Sequence, residues 1–230
     1  GGGWSFADST TIDDGLTMTA GTLSGTNDIV ASNAVVGTAG VITLTGSSTF
    51  EQRVAISRSF GPTTTNTDWT FNNLTFSNSS GLSRTITKQS CSTCDVAVTG
   101  TMLVSKTGDG AATVLNAGDS TWTLSNPNSA APLDDDQASG SITASTSTFV
   151  YSGDNNAGDV TIENAPFFNL TLGGGTTENY APAATLTISG DLVLNVGGTP
   201  ATLNGAQSIT VDGGGVTGDG DINLTGGTFT

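Results

Sequence analysis

The segment Thr22–Gly46, TLSGTNDIVASNAVVGTAGVITLTG, returns near the far end of the chain as Thr202–Gly226, TLNGAQSITVDGGGVTGDGDINLTG. Leu23, Ile29, Val36, Ile42 and Leu44 return as Leu203, Ile209, Val216, Ile222 and Leu224, whereas Val41 becomes Asp221 and Thr43 becomes Asn223. Successive side chains of a strand point to opposite faces, so the kept positions are expected to face a core and the exchanged ones solvent. Shorter echoes follow the same rule. Ser48-Thr49-Phe50 returns as Ser147-Thr148-Phe149, Asn73-Leu74-Thr75 as Asn169-Leu170-Thr171, and Val96–Gly100 as Leu186–Gly190. These recurrences set a period of about 90 to 100 residues and three units, 1–95, 96–185 and a shorter 186–230, within one elongated repeat domain, 1–230.

Apolar residues come in short alternating runs broken by Gly, Asn, Asp and Ser, with no long run at helical spacing. With 35% hydrophobic and only 11% charged residues, the chain lacks the high charge of disorder. The expectation is an all-β fold. Two architectures suit the repeat: a parallel β-helix (β-solenoid) and a row of tandem immunoglobulin-like β-sandwiches. In the third unit the apolar pairs lie roughly 7 residues apart, so three short strands make a coil of roughly 20 residues, within solenoid periods. The Cys…Trp…Cys spacing of a sandwich is missing. The β-helix is the preferred reading.

The pieces VAVTGTMLV, LTISGDLVL, TFNNLTF, FFNLTL and GDSTWTLSN resemble the strand repeats of very large bacterial surface proteins, the β-strand-repeat and filamentous-haemagglutinin-like exoproteins. The resemblance covers most of the chain and implies β-helical repeats that serve as stalks, fibres or adhesive surfaces. The secretion domain that opens haemagglutinin-like proteins is not recognisable in these residues. The chain opens on Gly1 and stops at Thr230 inside the repeated pattern, which reads as a processed chain or a piece of a longer one.

Net charge is −15, with 20 acidic residues, 5 basic ones and no histidine. That balance argues against nucleic acid, whose binding rests on Lys and Arg, and against anionic membranes. Lys88, Lys106, Arg53, Arg58 and Arg84 read as scattered, and no stretch approaches the ~20 apolar residues of a membrane helix.

Cys91-Ser92-Thr93-Cys94 is the sole cysteine motif. Redox use requires a βαβ setting and structural zinc requires two further ligands, so a local disulfide pinning a loop is the expectation. Asp134-Asp135-Asp136, Asp154 with Asn155, Asn156 and Asp159, and Asp212 with Asp219 and Asp221 are candidate calcium ligands, but none has an EF-hand spacing, and solvated turns are the plainer reading. Without histidine no Ser–His or Cys–His pair exists. Glu51, Glu163 and Glu178 are the glutamates available for glycoside hydrolysis. Trp4, Trp69 and Trp122 read as core or end-cap residues, and Asn73 and Asn169 as stacked coil-corner asparagines. The Thr-x-Thr runs at 17, 43, 85, 121, 185 and 228 are too unevenly spaced to read as one flat ice-binding array.

The functional expectation is a non-enzymatic extracellular structural protein, a segment of a cell-surface fibre, stalk or sheath, without cofactor and with adhesion as a further role. Its expected partners are other copies of itself, stacked head to tail, further repeats of a longer chain, or cell-surface glycans. The alternative is a carbohydrate-binding or polysaccharide-degrading β-helix.

Overall fold

The structure, a computed structural model, describes residues 2–105, 111–126, 131–135, 141–153, 158–173, 178–194 and 201–230. It is an all-β parallel β-helix. Every described strand pairing is parallel, which excludes the antiparallel immunoglobulin-like arrangement. One ten-stranded sheet forms the first face and marks ten coils. Its strands open the coils in order: Gly3–Trp4, Thr22–Gly25, Val41–Leu44, Trp69–Phe71, Val96–Val98, Thr121–Leu124, Thr148–Tyr151, Asn169–Leu172, Leu192–Leu194 and Val216–Gly218. The second face is a six-stranded sheet from Thr10–Ile12 to Leu133–Asp135, followed by a four-stranded one from Val160–Ile162 to Asp221–Leu224. The third face runs from Leu16–Met18 to Ile142–Thr143 and continues with Leu186–Ile188 and Ile209–Val211.

The alternation in the sequence dictates this shape. In Trp69-Thr70-Phe71, Val96-Ala97-Val98 and Met102-Leu103-Val104 the outer two side chains are buried and the middle one is only partly so. A three-residue strand buries two side chains at most. It gains stability only when the coils above and below complete the layer.

Coil length varies. The step from one coil to the next is short between the paired residues Leu23 and Ile42, long between Trp69 and Val96, and intermediate between Phe149 and Leu170. The long middle coils enclose the aromatic residues. Phe60 meets Phe76 edge-on at 4.9 Å, and Trp122 stacks between Phe60 and Phe149, 6.2 Å from each ring. Such pairs add about 0.5–1.5 kcal/mol each beyond their buried area.

The recurring segments occupy different faces. Thr22–Gly25 lies on the first face of coil two, and its echo Thr202–Gly205 lies in the second face of coil nine. Ser48-Thr49-Phe50 enters the second face of coil three and Ser147-Thr148-Phe149 the first face of coil seven. Asn73-Leu74-Thr75 and Asn169-Leu170-Thr171 make the same move from coil four to coil eight. One period of the sequence is therefore three and two-thirds turns of the helix. Most kept positions of the opening segment do face the core: Leu23, Ile29, Ile42 and Leu44 are buried. Val36 is the exception, because Val35 and Gly37 take the inward positions of that strand.

Candidate functional site

The corner between the third face of coil four and the first face of coil five carries the cysteine motif. The strand Arg84–Lys88 alternates Ile86 and Lys88 on its inner side, so the lysine is driven inward by strand periodicity. Lys88 is 2% exposed. Its Nζ donates to the carbonyls of Gln89 at 2.9 Å and Pro62 at 3.4 Å. Gly61 adopts a left-handed φ of 96° and leaves the space the lysine stem fills; a Cβ there would stand 2.5 Å from Lys88 Cδ. Burial brings the Lys88 ammonium down to about 8, against the opposing pull of Asp119 and Asp95.

Cys91 and Cys94 are joined by a disulfide, with Cα atoms 5.3 Å apart. The next coil holds this turn in place. Asp119 accepts from the Cys91 N–H and from the Ser90 hydroxyl, each at 2.9 Å, and Ser120 donates its hydroxyl to the Cys91 carbonyl at 2.9 Å. Burial works to raise the Asp119 carboxyl, but these donors and Lys88 outweigh it and hold it below its ordinary value. Lys88, Ser90, Asn116, Asp119, Ser145 and Thr146 line a polar cavity of about 280 Å³ beside the disulfide. Its charges are balanced internally, which suits a structural clasp better than a ligand site.

The glutamates are not brought together. Glu51 lies on the second face of coil three, bound bidentately by Arg53 at 2.7 and 2.8 Å and by the Ser77 hydroxyl. Glu178 is 6% exposed at the start of the second-face strand of coil eight. Glu163 follows the second-face strand of coil seven, near Asp134 and Asp135 of coil six. Burial, then Asp135 and Asp134, raise the Glu163 carboxyl above its ordinary value. Asp159, Asp212, Asp219 and Asp221 are exposed; Asp136, Asp154, Asn155 and Asn156 lie outside the described residues, as does Lys106. Among the described residues no three His, Cys, Asp or Glu side chains group as metal ligands would.

Other acids and amides serve the scaffold. Asp68 accepts the Asp95 N–H at 2.9 Å, and Asp95 accepts the Thr121 N–H at 3.2 Å. Asn169 accepts from Asp191 and Asp191 from Gly215, each at 2.9 Å. Asn73 and Asn169 sit on different faces and do not stack on each other. Each accepts a backbone N–H from the next coil, Thr101 at 3.0 Å and Asp191 at 2.9 Å. Trp69 and Trp122 are fully buried, with indole N–H groups on the Gly40 and Ala117 carbonyls at 3.0 Å. The arginines are not scattered. Arg53 pairs in register with Ser77, Arg58 with Ile86, and Arg84 donates to the Ala55 carbonyl at 2.8 Å, so all three share one corner of coils three and four.

The first coil holds an apolar opening. Trp4, Phe6, Leu16, Met18 and Leu23 line a cavity of about 340 Å³, and Trp4 is 52% exposed. At the other end Val216 is 43% and Phe229 42% exposed. No family model, no curated protein and no solved structure matches the chain.

Proposed function

We propose that this chain is a non-enzymatic structural segment of an extracellular fibre, stalk or sheath, built by stacking coils on coils. The observation that carries the reading is the open inner surface of the first coil. There the apolar side chains of Trp4, Phe6 and Leu16 meet solvent beside strands that are paired on one side only. Another coil laid on that end, from a second copy or from more of the same chain, would bury this surface and extend the ladders by one rung of about 4.8 Å. The disulfide fits an oxidising compartment, and the acidic surface keeps such a rod soluble.

Electron microscopy of concentrated protein tests the assembly. Rods in multiples of roughly 50 Å, the stack of ten coils, are expected, and Trp4→Asp should leave single units. Particles of one unit at every concentration would overturn end-to-end assembly. Reducing sugar released from a panel of polysaccharides, and lost in Glu163→Gln, would overturn the non-enzymatic reading.

A further inference from the structure

The two ends of this rod carry charge of one sign. Coil one holds Asp8, Asp13 and Asp14, and coil ten holds Asp219 and Asp221, all exposed. The coils behind them add Asp28 at one end and Asp191 and Asp212 at the other, also exposed. The basic side chains are elsewhere: the first in the sequence is Arg53, in coil three, and none follows Lys106. The terminal ammonium and carboxylate are of opposite sign and leave this balance unchanged.

Strand direction decides which ends can meet. Every described pairing is parallel, and a second copy continues the ladders in that sense only if its tenth coil lies on the first. Two first coils facing each other about a two-fold axis would run antiparallel, a pairing found nowhere among the described strands. The inward side chains suit this seat. On coil ten Val216, Ile222 and Phe229 pair in register with the buried Leu192, Leu203 and Ile209, so one apolar side chain points inward on each face. Trp4, Ile12 and Leu16 hold the same places on coil one, in register with the buried Leu23, Ala31 and Val35. Apolar meets apolar face by face. The contact is heterologous, so it leaves one free end of each kind and repeats.

The same alignment of faces decides where charge meets charge. Asp8 stands at the corner between the first and second faces of coil one, its carbonyl accepting from the Thr10 hydroxyl at 3.0 Å as the second-face strand begins. Asp219 stands at that corner of coil ten, and Asp221 opens the second-face strand there. With coil ten seated on coil one, these carboxylates stand on adjacent rungs of one corner, ~4.8 Å apart along the axis. Exposed like charges so close repel in dilute salt, and added salt screens them. Taking end-to-end stacking as this chain's function, we propose that the stack is head to tail and that ionic strength governs it. The apolar ends supply the attraction. Asp8, Asp219 and Asp221 oppose it, so copies stay apart in dilute salt and join when that corner is screened.

Sedimentation velocity of the whole chain across sodium chloride concentrations tests it. Association is expected to strengthen about tenfold or more between about 20 mM and about 500 mM salt. Asp8→Asn should strengthen it in dilute salt and flatten the dependence. Asp8→Lys turns the corner into an attraction and should reverse the dependence. That reversal separates screening from any general effect of salt on apolar contact, which all variants share. Asp134→Asn on coil six removes a charge away from both ends and should change association less than about twofold. For polarity, Trp4→Asp and Phe229→Asp should each stay monomeric alone. Their equimolar mixture should form a two-copy particle that grows no further, through the one intact end of each. Circular dichroism checks that every variant keeps its fold. Single particles at every salt concentration, in the parent and in Asp8→Asn alike, would overturn stacking itself and its control with it. Association that weakens with salt, or an Asp8→Lys variant that behaves like the parent, would overturn the ionic control alone. Phe229→Asp that dimerises by itself would overturn the head-to-tail polarity.

Discussion

Lys88 shares the inner side of its strand with Ile86, and that position determines its chemistry. Its ammonium titrates near 8 in the fold and near 10.4 in an unfolded chain. Below about pH 8 both states hold the proton, and the burial penalty is fully present. Between about 8 and 10.4 the unfolded chain keeps a proton the native one has lost, so this group makes stability rise with pH. Lys88→Met is expected to stabilise the protein by about 1–2 kcal/mol in urea unfolding at pH 7, with the gain fading by pH 10.5. A gain unchanged across that range would show that the ammonium carries no burial penalty. The signal for this residue was present in the period-two alternation of Ile86-Thr87-Lys88. Gly100 is a second residue whose role depends on the coil beneath it. A Cβ there would meet Asn73 Oδ1 at 2.3 Å and the Asn72 carbonyl at 2.7 Å, so Gly100→Ala should cost roughly 2–3 kcal/mol in the same assay. Gly190 stands in the same relation to Asn169, with Oδ1 at 2.4 Å. The sequence shows each Asn and each Gly but hides their pairing, because a full coil of chain lies between the two members of each pair.

At the scale of the strand, alternation is legible for most segments, and it is why inward positions other than that of Val35–Gly37 could be named from residues alone. What alternation cannot give is the face a strand joins. The corners set that, and their length changes from coil to coil without a fixed signature. For this reason Arg53, Arg58 and Arg84 looked dispersed along the chain although they meet at one corner, and Asn73 and Asn169 looked like partners although they occupy different faces. Packing follows the same geography. Trp122 is fully buried between Phe60 and Phe149, so Trp122→Ala should cost about 3–5 kcal/mol and speed hydrogen exchange in coils four to seven. Protection lost evenly over all ten coils would argue against a locally organised core. The disulfide joins cysteines only three positions apart, and replacing both with Ser should cost no more than about 2 kcal/mol in thermal unfolding.

For the whole molecule, the parallel stack explains how so few apolar residues suffice. Between the two end coils, each inward side chain is covered by its own coil and by the two beside it, so 35% hydrophobic content fills a continuous core. It also explains how the acidity is tolerated. Like charges on a long surface lie farther apart than on a sphere, and salt should raise the unfolding temperature by a few degrees as their repulsion is screened. A fall in that temperature on adding about 0.3 M salt would mean that ion pairs such as Arg53–Glu51 outweigh the repulsion. The offset of the recurring segments has a further outcome. A stretch copied eleven strands along the chain reappears a third of a turn around the axis, so any surface group it carries points in a new direction. Copies laid down in this way wind round the rod like the thread of a screw. A longer chain built by the same rule would show each outward motif on all three sides, and a neighbour could meet it whatever the rod's rotation about its own axis.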